Sequence, residues 1–323
     1  MKYRKMGRIG WDVSEIGHGM WGMGSWTDSD DKESLKVLHR SVELGVNFFD
    51  TAWVYGNGRS EKLLGKLLRD YPEKKVYITT KIPPKNFKWP MEPTYSLDET
   101  FPSDHMKEYL HKSLKNLGVE QIDLVLLHGW DDIWTKDERW QKTVVELKQQ
   151  GLIKAFGVSI DRWEPENAIQ AIKTGLIDVV EVIYNIFDQA PEDNLFPVCK
   201  ELNVGVIARV PFDEGTLTDS LTINSKWPEG DWRNLYFGTE NLQPSLDHLA
   251  SLKSALPIGA NIPELALQFI LSNRDISTTI PGMRKVKNIN ANVIASDKGR
   301  LSQELIDRLR SHRWDRKPTS WAG

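Results

Sequence analysis

Eight short apolar runs rich in β-branched residues alternate with amphipathic segments along almost the whole chain. The runs lie at 16–21, 47–51, 76–81, 122–128, 153–159, 178–184, 204–210 and 277–282. Near-continuous apolar runs are typical of parallel strands that are covered on both faces. Eight strand–helix units with right-handed crossovers close most naturally into a barrel. The sequence therefore predicts an α/β fold, a (β/α)8 TIM barrel.

Residues that are favoured at helix starts and ends agree with this prediction. Asp30 or Asp31 can cap a helix that stops at Gly45. Ser103 can cap another, which ends at Gly118. Short polar side chains satisfy free N–H groups at helix starts, and glycine is favoured just past helix ends.

The domain organisation follows from the same pattern. No Ser/Gly linker or break in composition interrupts the chain, so we expect one barrel domain over 1–323. The residues up to about Val13 predict a small β-hairpin that plugs the barrel floor. Two connections are long, 82–102 after the third strand and 211–245 after the seventh. Both precede a helix, so we expect them to overhang the carboxyl ends of the strands, where barrels carry their sites.

Composition and charge exclude several classes of protein. The 323 residues carry 42 Lys+Arg and 45 Asp+Glu, and a formal net charge of −3 gives no reason to expect nucleic acid or an anionic membrane as a partner. No apolar run reaches the length of a signal peptide or a membrane span. The single Cys199 rules out an internal disulfide and fits a reducing compartment, so we expect a cytoplasmic protein. The sequence leaves the oligomeric state open.

A glycine motif near the N-terminus matches a dinucleotide-binding pattern but lacks its structural context. Gly17-His-Gly-Met-Trp-Gly22 matches G-x-G-x-x-G, but a dinucleotide fingerprint requires a helix that opens at the glycines. The first helical pattern begins only near Asp30, and no doubly wound domain follows. We therefore interpret the glycines as a place where the backbone passes close to its surroundings at the end of the first strand.

Four polar residues follow consecutive strands. Asp50 ends the second strand and Tyr55 lies in the loop behind it, while Lys81 ends the third strand and His128 the fourth. Each residue alone has an ordinary structural explanation, such as a turn cap, a rim aromatic, a solvated lysine or a satisfied histidine. Adjacent strand ends converge in a barrel, so together they predict a site.

The chemistry that suits these four residues is proton transfer to a carbonyl oxygen. A free tyrosine has a pKa near 10, and a nearby ammonium lowers a tyrosine pKa by about 1–3 units. Lys81 can supply that charge with Asp50 holding it, and His128 can orient the substrate oxygen. Tyr55 would then be a tuned general acid and base. No Cys/His cluster offers a metal site, and we expect no metal.

The Asp50, Tyr55, Lys81 and His128 set, in this order, resembles the catalytic tetrad of the aldo-keto reductases. The resemblance covers nearly the whole chain. Asp50-Thr-Ala-Trp-Val-Tyr-Gly56 is similar to the family's D-T-A-x-x-Y-G segment. Further matches in sequence order are Leu126-Leu-His128, Gly157-Val-Ser159, Tyr184-Asn185 and Ile280-Pro-Gly282.

The resemblance implies an enzyme that reduces an aldehyde or ketone reversibly, with hydride from NADP(H) more readily than from NAD(H). It implies that the cofactor lies extended across the carboxyl face of the barrel. The residues that would contact it are Trp21, Ser159, Glu181, Arg209, Pro211, Phe212, Gly215, Leu217, Gly282, Met283, Arg284, Asn288 and Asn292. Among them, Ser159 would hold the carboxamide, Gly215 to Leu217 would lie over the pyrophosphate, and Arg284 suits a 2′-phosphate.

The chain departs from the family pattern at several of these positions. Ile160 follows the carboxamide serine where the family has Asn, and Glu181 replaces a glutamine. Arg209 stands where many members stack an aromatic ring on the nicotinamide. Asn288 and Ala291 replace the more common Gln and Glu near the adenine.

Tryptophan is unusually frequent, with 13 residues. Nine of them follow a strand candidate, namely Trp21, Trp26, Trp53, Trp89, Trp130, Trp134, Trp163, Trp227 and Trp232. We interpret them mostly as the wall of a pocket for a small, flat or apolar carbonyl compound, with Trp21, Trp53 and Trp130 as the substrate contacts.

Two other functions compete with carbonyl reduction. Some aldo-keto reductase relatives serve as channel-associated subunits, so a non-catalytic regulatory subunit with the same barrel and NADP(H) is the alternative. A barrel isomerase or metal-assisted hydrolase that uses Asp50 and His128 is weaker, since only Glu181 offers a further ligand at a strand end.

Overall fold

An antiparallel hairpin begins the chain. The computed structural model describes residues 1–24, 26–161, 164–238 and 240–316. Strand β1 (Tyr3–Lys5) pairs with β2 (Asp12–Ser14), and Tyr3 lies opposite Ser14. The predicted N-terminal hairpin is therefore confirmed.

Eight parallel strands follow in a single sheet whose spatial order is the chain order. They are β3 (His18–Gly19), β4 (Phe48–Asp50), β5 (Tyr77–Ile82), β6 (Ile122–His128), β7 (Ile153–Ser159), β8 (Val179–Ile183), β9 (Gly205–Arg209) and β10 (Thr278–Thr279). Parallel bridges from Ile16 to Thr279 and from Gly19 to Gly282 join the first of these strands to the last. The sheet thus closes on itself, and the predicted (β/α)8 barrel is confirmed.

Helices alternate with these strands around the outside of the barrel. In the described part of the chain they are α1 (Trp21–Gly24), α2 (Asp31–Glu43), α3 (Arg59–Asp70), α4 (Leu97–Thr100), α5 (Ser103–Leu117), α6 (Glu138–Gln149), α7 (Ile169–Lys173), α8 (Leu195–Glu201), α9 (Arg233–Tyr236), α10 (Leu242–Ser254), α11 (Ile262–Ser272), α12 (Val286–Lys298) and α13 (Gln303–Arg310). The two long connections lie where the sequence predicts them, between β5 and α5 and between β9 and α10.

The helix ends confirm one predicted cap and correct another. The Asp30 carboxylate accepts a hydrogen bond from the Glu33 N–H at the start of α2. Ser103, however, is the first residue of α5, and Pro102 holds the capping position without a side-chain hydrogen bond. Gly118 ends α5 with a φ of 69°, in the left-handed region that glycine tolerates.

The first strand requires its glycines. A Cβ on Gly19 would lie 2.5 Å from the Ile280 carbonyl oxygen, and one on Gly17 would lie 3.1 Å from the Ile280 side chain. The backbone therefore passes close to its neighbour, as interpreted from the sequence. The predicted start of the first helix was wrong, because the short helix α1 begins at Trp21, well before Asp30.

The core has an inner part and an outer part. Residues on the inside of the barrel, including Phe48, Leu124 and Ile207, form one cluster with Met6 and Val13 of the hairpin region. A larger cluster fills the space between strands and helices. The hairpin thus covers the floor and leaves the carboxyl ends of the strands to form a site. In the described residues, no helix is both long enough and apolar enough to cross a membrane.

Candidate active site

The four polar residues predicted from strand ends meet at the carboxyl face of the barrel. Asp50 and His128 are the last residues of β4 and β6, and Lys81 is the penultimate residue of β5. Tyr55 lies in a tight turn after β4, where its N–H donates to the Ala52 carbonyl. Parallel pairing aligns these strand ends and directs the side chains into one place.

Lys81 is the centre of the cluster, and its side chain has no exposed surface. Its ammonium donates to Asp50 Oδ1 at 2.5 Å, to the Thr51 carbonyl oxygen at 3.1 Å and to the Tyr55 hydroxyl at 3.4 Å. A second carboxylate oxygen, Glu181 Oε2, lies 3.4 Å from the same nitrogen. The buried cluster therefore contains one ammonium and two carboxylates.

Burial and charge fix how these groups hold protons. Burial, with the neighbouring Glu181 carboxylate, raises the pKa of Asp50 to about 8, although the Lys81 ammonium opposes the rise. Burial by itself would lower the pKa of Lys81, but the Asp50 and Glu181 carboxylates outweigh it and raise that pKa above its usual value. Lys81 therefore stays charged at neutral pH.

The pKa of Tyr55 corrects an expectation. Lys81 does favour the phenolate, but burial raises the pKa of Tyr55 above its ordinary value, and the Asp50 and Glu181 carboxylates add to the rise. The expected lowering was therefore wrong for the protein alone. Tyr55 is a neutral phenol at neutral pH, so it can donate a proton.

His128 is neutral as well. Burial, together with the positive charges of Lys81 and Arg209, lowers the pKa of His128 well below its usual value. Its ring centre lies 5.9 Å from that of Tyr55 in an edge-on arrangement, and its buried Nδ1 has no hydrogen-bond partner among the described residues. The Trp89 indole N–H donates to the His128 carbonyl oxygen at 2.6 Å and fixes the backbone at this strand end. A neutral imidazole beside a phenol can orient a carbonyl oxygen between them.

The residues predicted for a nicotinamide carboxamide lie on the next strands. Ser159 Oγ donates to Glu181 Oε1 at 3.3 Å, while in the part of the chain that the structure describes no N–H or O–H donor reaches the buried Glu181 Oε2. Arg209, at the end of β9, donates from Nη2 to the Ile160 carbonyl oxygen at 3.1 Å. A carboxamide offers two N–H donors and one acceptor, so its NH2 group matches the unpartnered carboxylate oxygen. Ser159 and Glu181 therefore fit the carboxamide of the expected cofactor.

The loop predicted to lie over a pyrophosphate begins directly after β9. Its backbone turns sharply at Asp213–Thr218, and Gly215 has a φ of 110°. A Cβ on Gly215 would meet no atom of the described residues within 4 Å, so its backbone is open to a ligand. Pro211 and Leu217 are buried and Phe212 is half-buried. Leu217 thus packs in the core, and only its backbone can face a phosphate.

The residues predicted for the adenosine end follow β10. Gly282 is exposed, and a Cβ added to it would lie more than 4 Å from every neighbouring atom that the structure describes. Asn288 is also exposed. Asn292 is buried, and Met283 has no exposed surface. Arg284 is half-buried, so its guanidinium is available at the edge of the site.

Arg284 is held in place by an aromatic neighbour. Its guanidinium lies 5.0 Å from the centre of the Trp26 ring, and its Nη1 donates to the Thr27 carbonyl oxygen at 3.0 Å. The loop that carries Thr27 is bound in turn to the long connection after β9, because the Thr27 hydroxyl donates to Asp231 at 2.8 Å. This bridge was not predicted from the sequence, since no local pattern links residues so far apart along the chain.

His18 is a second feature that was not predicted from the sequence. Its side chain is buried beside residues predicted to contact the cofactor, with Nδ1 2.8 Å from Ser41 Oγ and Nε2 3.1 Å from the Met283 carbonyl oxygen. His18 therefore fixes the backbone next to Arg284. Its position between two glycines in the first strand was the available signal.

The tryptophans divide into pocket and core. Trp21, Trp26 and Trp232 form a half-buried group with ring centres 4.9–5.4 Å apart, and Trp21 lies 6.5 Å from Tyr55. Trp53 packs edge-on against Tyr109 at 4.7 Å and remains half-buried at the rim.

The assignment of Trp130 to the substrate pocket is corrected. Trp130 has no exposed surface and packs against Trp134 and Trp140, with ring centres 5.6 and 5.1 Å away. Its indole N–H donates to Asp132, so even its polar atom is satisfied inside the protein. Trp130 and Trp134 are thus core residues. Trp163 lies outside the described residues.

The fold and the site together place the chain among the barrel-fold oxidoreductases. The chain belongs to the aldo/keto reductase family, whose model matches residues 15–313. Membership makes it an oxidoreductase that uses a nicotinamide cofactor.

Individual relatives cover nearly the whole chain. An uncharacterized oxidoreductase, YqkF, of Bacillus subtilis is 29% identical over 97% of this chain and 96% of its own length. The NADH-specific methylglyoxal reductase of Escherichia coli is 26% identical, covering 91% and 93%. A probable voltage-gated potassium channel subunit beta of rice (Oryza sativa) is 27% identical, covering 96% and 95%. Among solved structures, the holo form of the aldo-keto reductase AKR11C1 from Bacillus halodurans is similar, with a TM-score of 0.78, 26% identity and 99% of each chain covered.

Proposed function

We propose that the protein reduces a small aldehyde or ketone to an alcohol, with NADPH preferred to NADH and with Tyr55 as the general acid. One observation carries this proposal. The Lys81 ammonium contacts Asp50 at 2.5 Å and the Tyr55 hydroxyl at 3.4 Å in a buried site that neutral His128 also faces. This arrangement supplies a proton where a carbonyl oxygen can be held.

The roles of the chain's own residues follow from their contacts. The cofactor, when bound, supplies the hydride. The Tyr55 hydroxyl delivers a proton to the substrate oxygen, and Lys81 stabilises the phenolate that remains. His128 orients the same oxygen as a neutral donor. In the reverse direction the phenolate accepts the proton, and the reaction runs from alcohol to carbonyl.

The substrate and cofactor preferences rest on the surroundings of this centre. Trp21 lies 6.5 Å from Tyr55, and Trp53 is a half-buried aromatic residue in the same loop as Tyr55, so both favour a flat or apolar carbonyl compound. The contact between Ser159 and Glu181 supports their assignment to the carboxamide. The half-buried Arg284 guanidinium beside Trp26 supports its assignment to the 2′-phosphate that distinguishes NADPH from NADH.

A panel of aldehydes and ketones, assayed with NADPH and NADH side by side, tests the proposal. We expect NADPH consumption with simple aromatic aldehydes, with a lower KM for NADPH than for NADH. Equal use of both cofactors would remove the assigned preference. Faster turnover with NADH would instead align the chain with the NADH-specific methylglyoxal reductase of Escherichia coli.

A second candidate function is a non-catalytic NADP(H)-binding regulatory subunit. The similarity to the rice channel subunit favours it, over 96% of this chain. It predicts NADPH binding, seen as a change in NADPH fluorescence, with no turnover of any compound in the panel. The complete set of Asp50, Tyr55, Lys81 and His128 argues for the enzyme.

A further inference from the structure

A buried carboxylate without a complete set of partners lies beside the catalytic lysine. Glu181, on β8, is 2% exposed, and its Oε1 accepts a hydrogen bond from Ser159. Its Oε2 lies 3.4 Å from Lys81 Nζ and accepts no N–H hydrogen bond from the described residues, although Glu181 also contacts the Asp50 carboxyl. A buried carboxylate without an N–H partner is costly, so Glu181 attracts the Lys81 ammonium without holding one of its N–H groups.

The three N–H groups of Lys81 show why none of them is left for Glu181. An ammonium has three N–H groups. Those of Lys81 go to Asp50 Oδ1, the Thr51 carbonyl and the Tyr55 hydroxyl. The first two contacts are short, whereas the third is 3.4 Å, the same distance as that to Glu181 Oε2. The Tyr55 hydroxyl and Glu181 Oε2 therefore lie at the same distance from the Lys81 nitrogen and compete for its third N–H group.

We propose that Glu181 is a positioning residue that competes with the Tyr55 hydroxyl for the Lys81 ammonium and so governs how tightly Tyr55 holds its proton. This inference rests on the proposed function, because it assigns Tyr55 the acid–base role. A glutamine in the same place would leave the third N–H to Tyr55, since a neutral amide oxygen attracts an ammonium less than a carboxylate does. The charge of Glu181, and not its shape, carries the effect.

The other charged groups around Tyr55 do not replace Glu181. The groups that face it from the neighbouring strands are Asp50 on β4, Lys81 on β5, His128 on β6, Glu181 on β8 and Arg209 on β9. His128 is neutral, and the Arg209 guanidinium is positive. Burial and the neighbouring Glu181 carboxylate raise the pKa of Asp50 to about 8, so Asp50 loses its proton before Tyr55 does. Glu181→Gln then replaces a carboxylate of this group with a neutral amide of nearly the same shape.

The experiment compares Glu181→Gln with the wild-type protein without cofactor. Tyrosine labelled with 13C at the phenolic carbon reports ionisation and hydrogen bonding, and the Tyr55 signal is identified by its absence in Tyr55→Phe. We expect the Tyr55 signal of Glu181→Gln to move toward phenolate about 1 pH unit below that of the wild type. Glu181→Asp, which keeps the charge, should behave like the wild type. An unchanged Tyr55 titration in Glu181→Gln would overturn the proposal.

Kinetics separate this role from a simple cofactor contact. The alkaline limb of the kcat profile for reduction, measured at saturating NADPH, should shift to lower pH in Glu181→Gln by the same amount, whatever the change in NADPH affinity. A changed NADPH affinity with an unchanged alkaline limb would make Glu181 a carboxamide ligand only and refute the inference. Glu61→Gln is the matched control, because this buried carboxylate binds Thr80 and Asn116 instead of Lys81. If the wild type turns over no carbonyl compound, the proposed function fails, whereas the labelled-tyrosine result stands independently.

Discussion

The Nε2 atom of His18 lies 3.1 Å from the Met283 carbonyl oxygen and ties the first barrel strand to the loop after the last. Burial lowers the pKa of His18 from 6.5 to about 4, although the bond to Met283 opposes the change. Between pH 6.5 and about 4, His18 is therefore protonated in the unfolded chain but neutral in the folded protein. The stability contributed by neutral His18 is complete above pH 6.5 and is lost as the pH falls toward 4.

The lowered pKa of His18 predicts that the folded protein loses stability in acid. The free energy of unfolding should fall by about 2 kcal/mol from His18 alone between about pH 7 and about pH 5. Urea titrations at the two pH values measure the loss, and His18→Gln should remove it. His111→Gln, at an exposed histidine, serves as the control and should keep the wild-type pH dependence. The same fall in stability in His18→Gln would show that other groups cause it.

Tyr55→Phe should lower kcat for carbonyl reduction by about 10²–10⁴-fold, which is the usual contribution of a general acid. The phenyl ring fills the same space, and the contacts of Ser159 and Arg284 do not involve the hydroxyl. NADPH affinity, measured by fluorescence, should therefore stay near the wild-type value. Turnover close to that of the wild type would remove Tyr55 from the mechanism.

Arg284→Ala should weaken NADPH binding by about tenfold or more, because a hydrogen bond to a charged group contributes about 1.5–3 kcal/mol. NADH binding should change much less, because NADH lacks the phosphate. The measurement is the dissociation constant of each cofactor for both proteins. An equal loss for the two cofactors would mean that Arg284 acts by holding the Thr27 loop and not by binding phosphate.

Lys81→Met should destabilise the fold by about 3–5 kcal/mol, because it leaves the Asp50 and Glu181 carboxylates buried without their cation. The loss should grow with pH, since the pKa of buried Asp50 is already raised to about 8 beside Lys81, and ionising this carboxyl group is costlier without the ammonium. Denaturant titrations at about pH 6 and about pH 9 test the trend. A loss that is the same at both values would indicate a packing defect.

Gly157→Ala should destabilise the barrel by at least about 3 kcal/mol. Its Cβ would lie 2.1 Å from the Val179 carbonyl oxygen and 2.7 Å from Leu126. Gly282→Ala is the matched control, because no neighbouring atom of the described chain lies within 4 Å of the added carbon. Its thermal unfolding should match that of the wild type. A stable Gly157→Ala protein would mean that β7 and β8 can separate without cost.

Part of this structure could be predicted from the sequence because it depends on repeated, local patterns. The barrel strands lie within or beside the apolar runs, since burial on both faces demands continuous hydrophobicity. The position of Tyr55 beside Lys81 and His128 follows from parallel strand ends. Helix α1 was not predicted, because it contains two glycines and is held by packing, with Gly24 against the Tyr55 backbone.

Other features depend on distances that no local pattern records. The sequence shows that Lys81 can approach Tyr55, but the sign of the change in the Tyr55 pKa depends on burial and on Glu181, far along the chain. The tryptophans after strand ends have the same sequence context, yet Trp21 lines the mouth and Trp130 fills the core. Which way a large side chain turns is decided by the space around it.

The hairpin region that packs Met6 and Val13 into the barrel floor closes that end of the barrel to solvent. Solvent protons that exchange with the Lys81 ammonium must then pass the same mouth as every reactant. An occupied mouth therefore isolates the lysine from bulk water, and hydrogen exchange at Lys81 becomes a direct measure of whether the entrance is open.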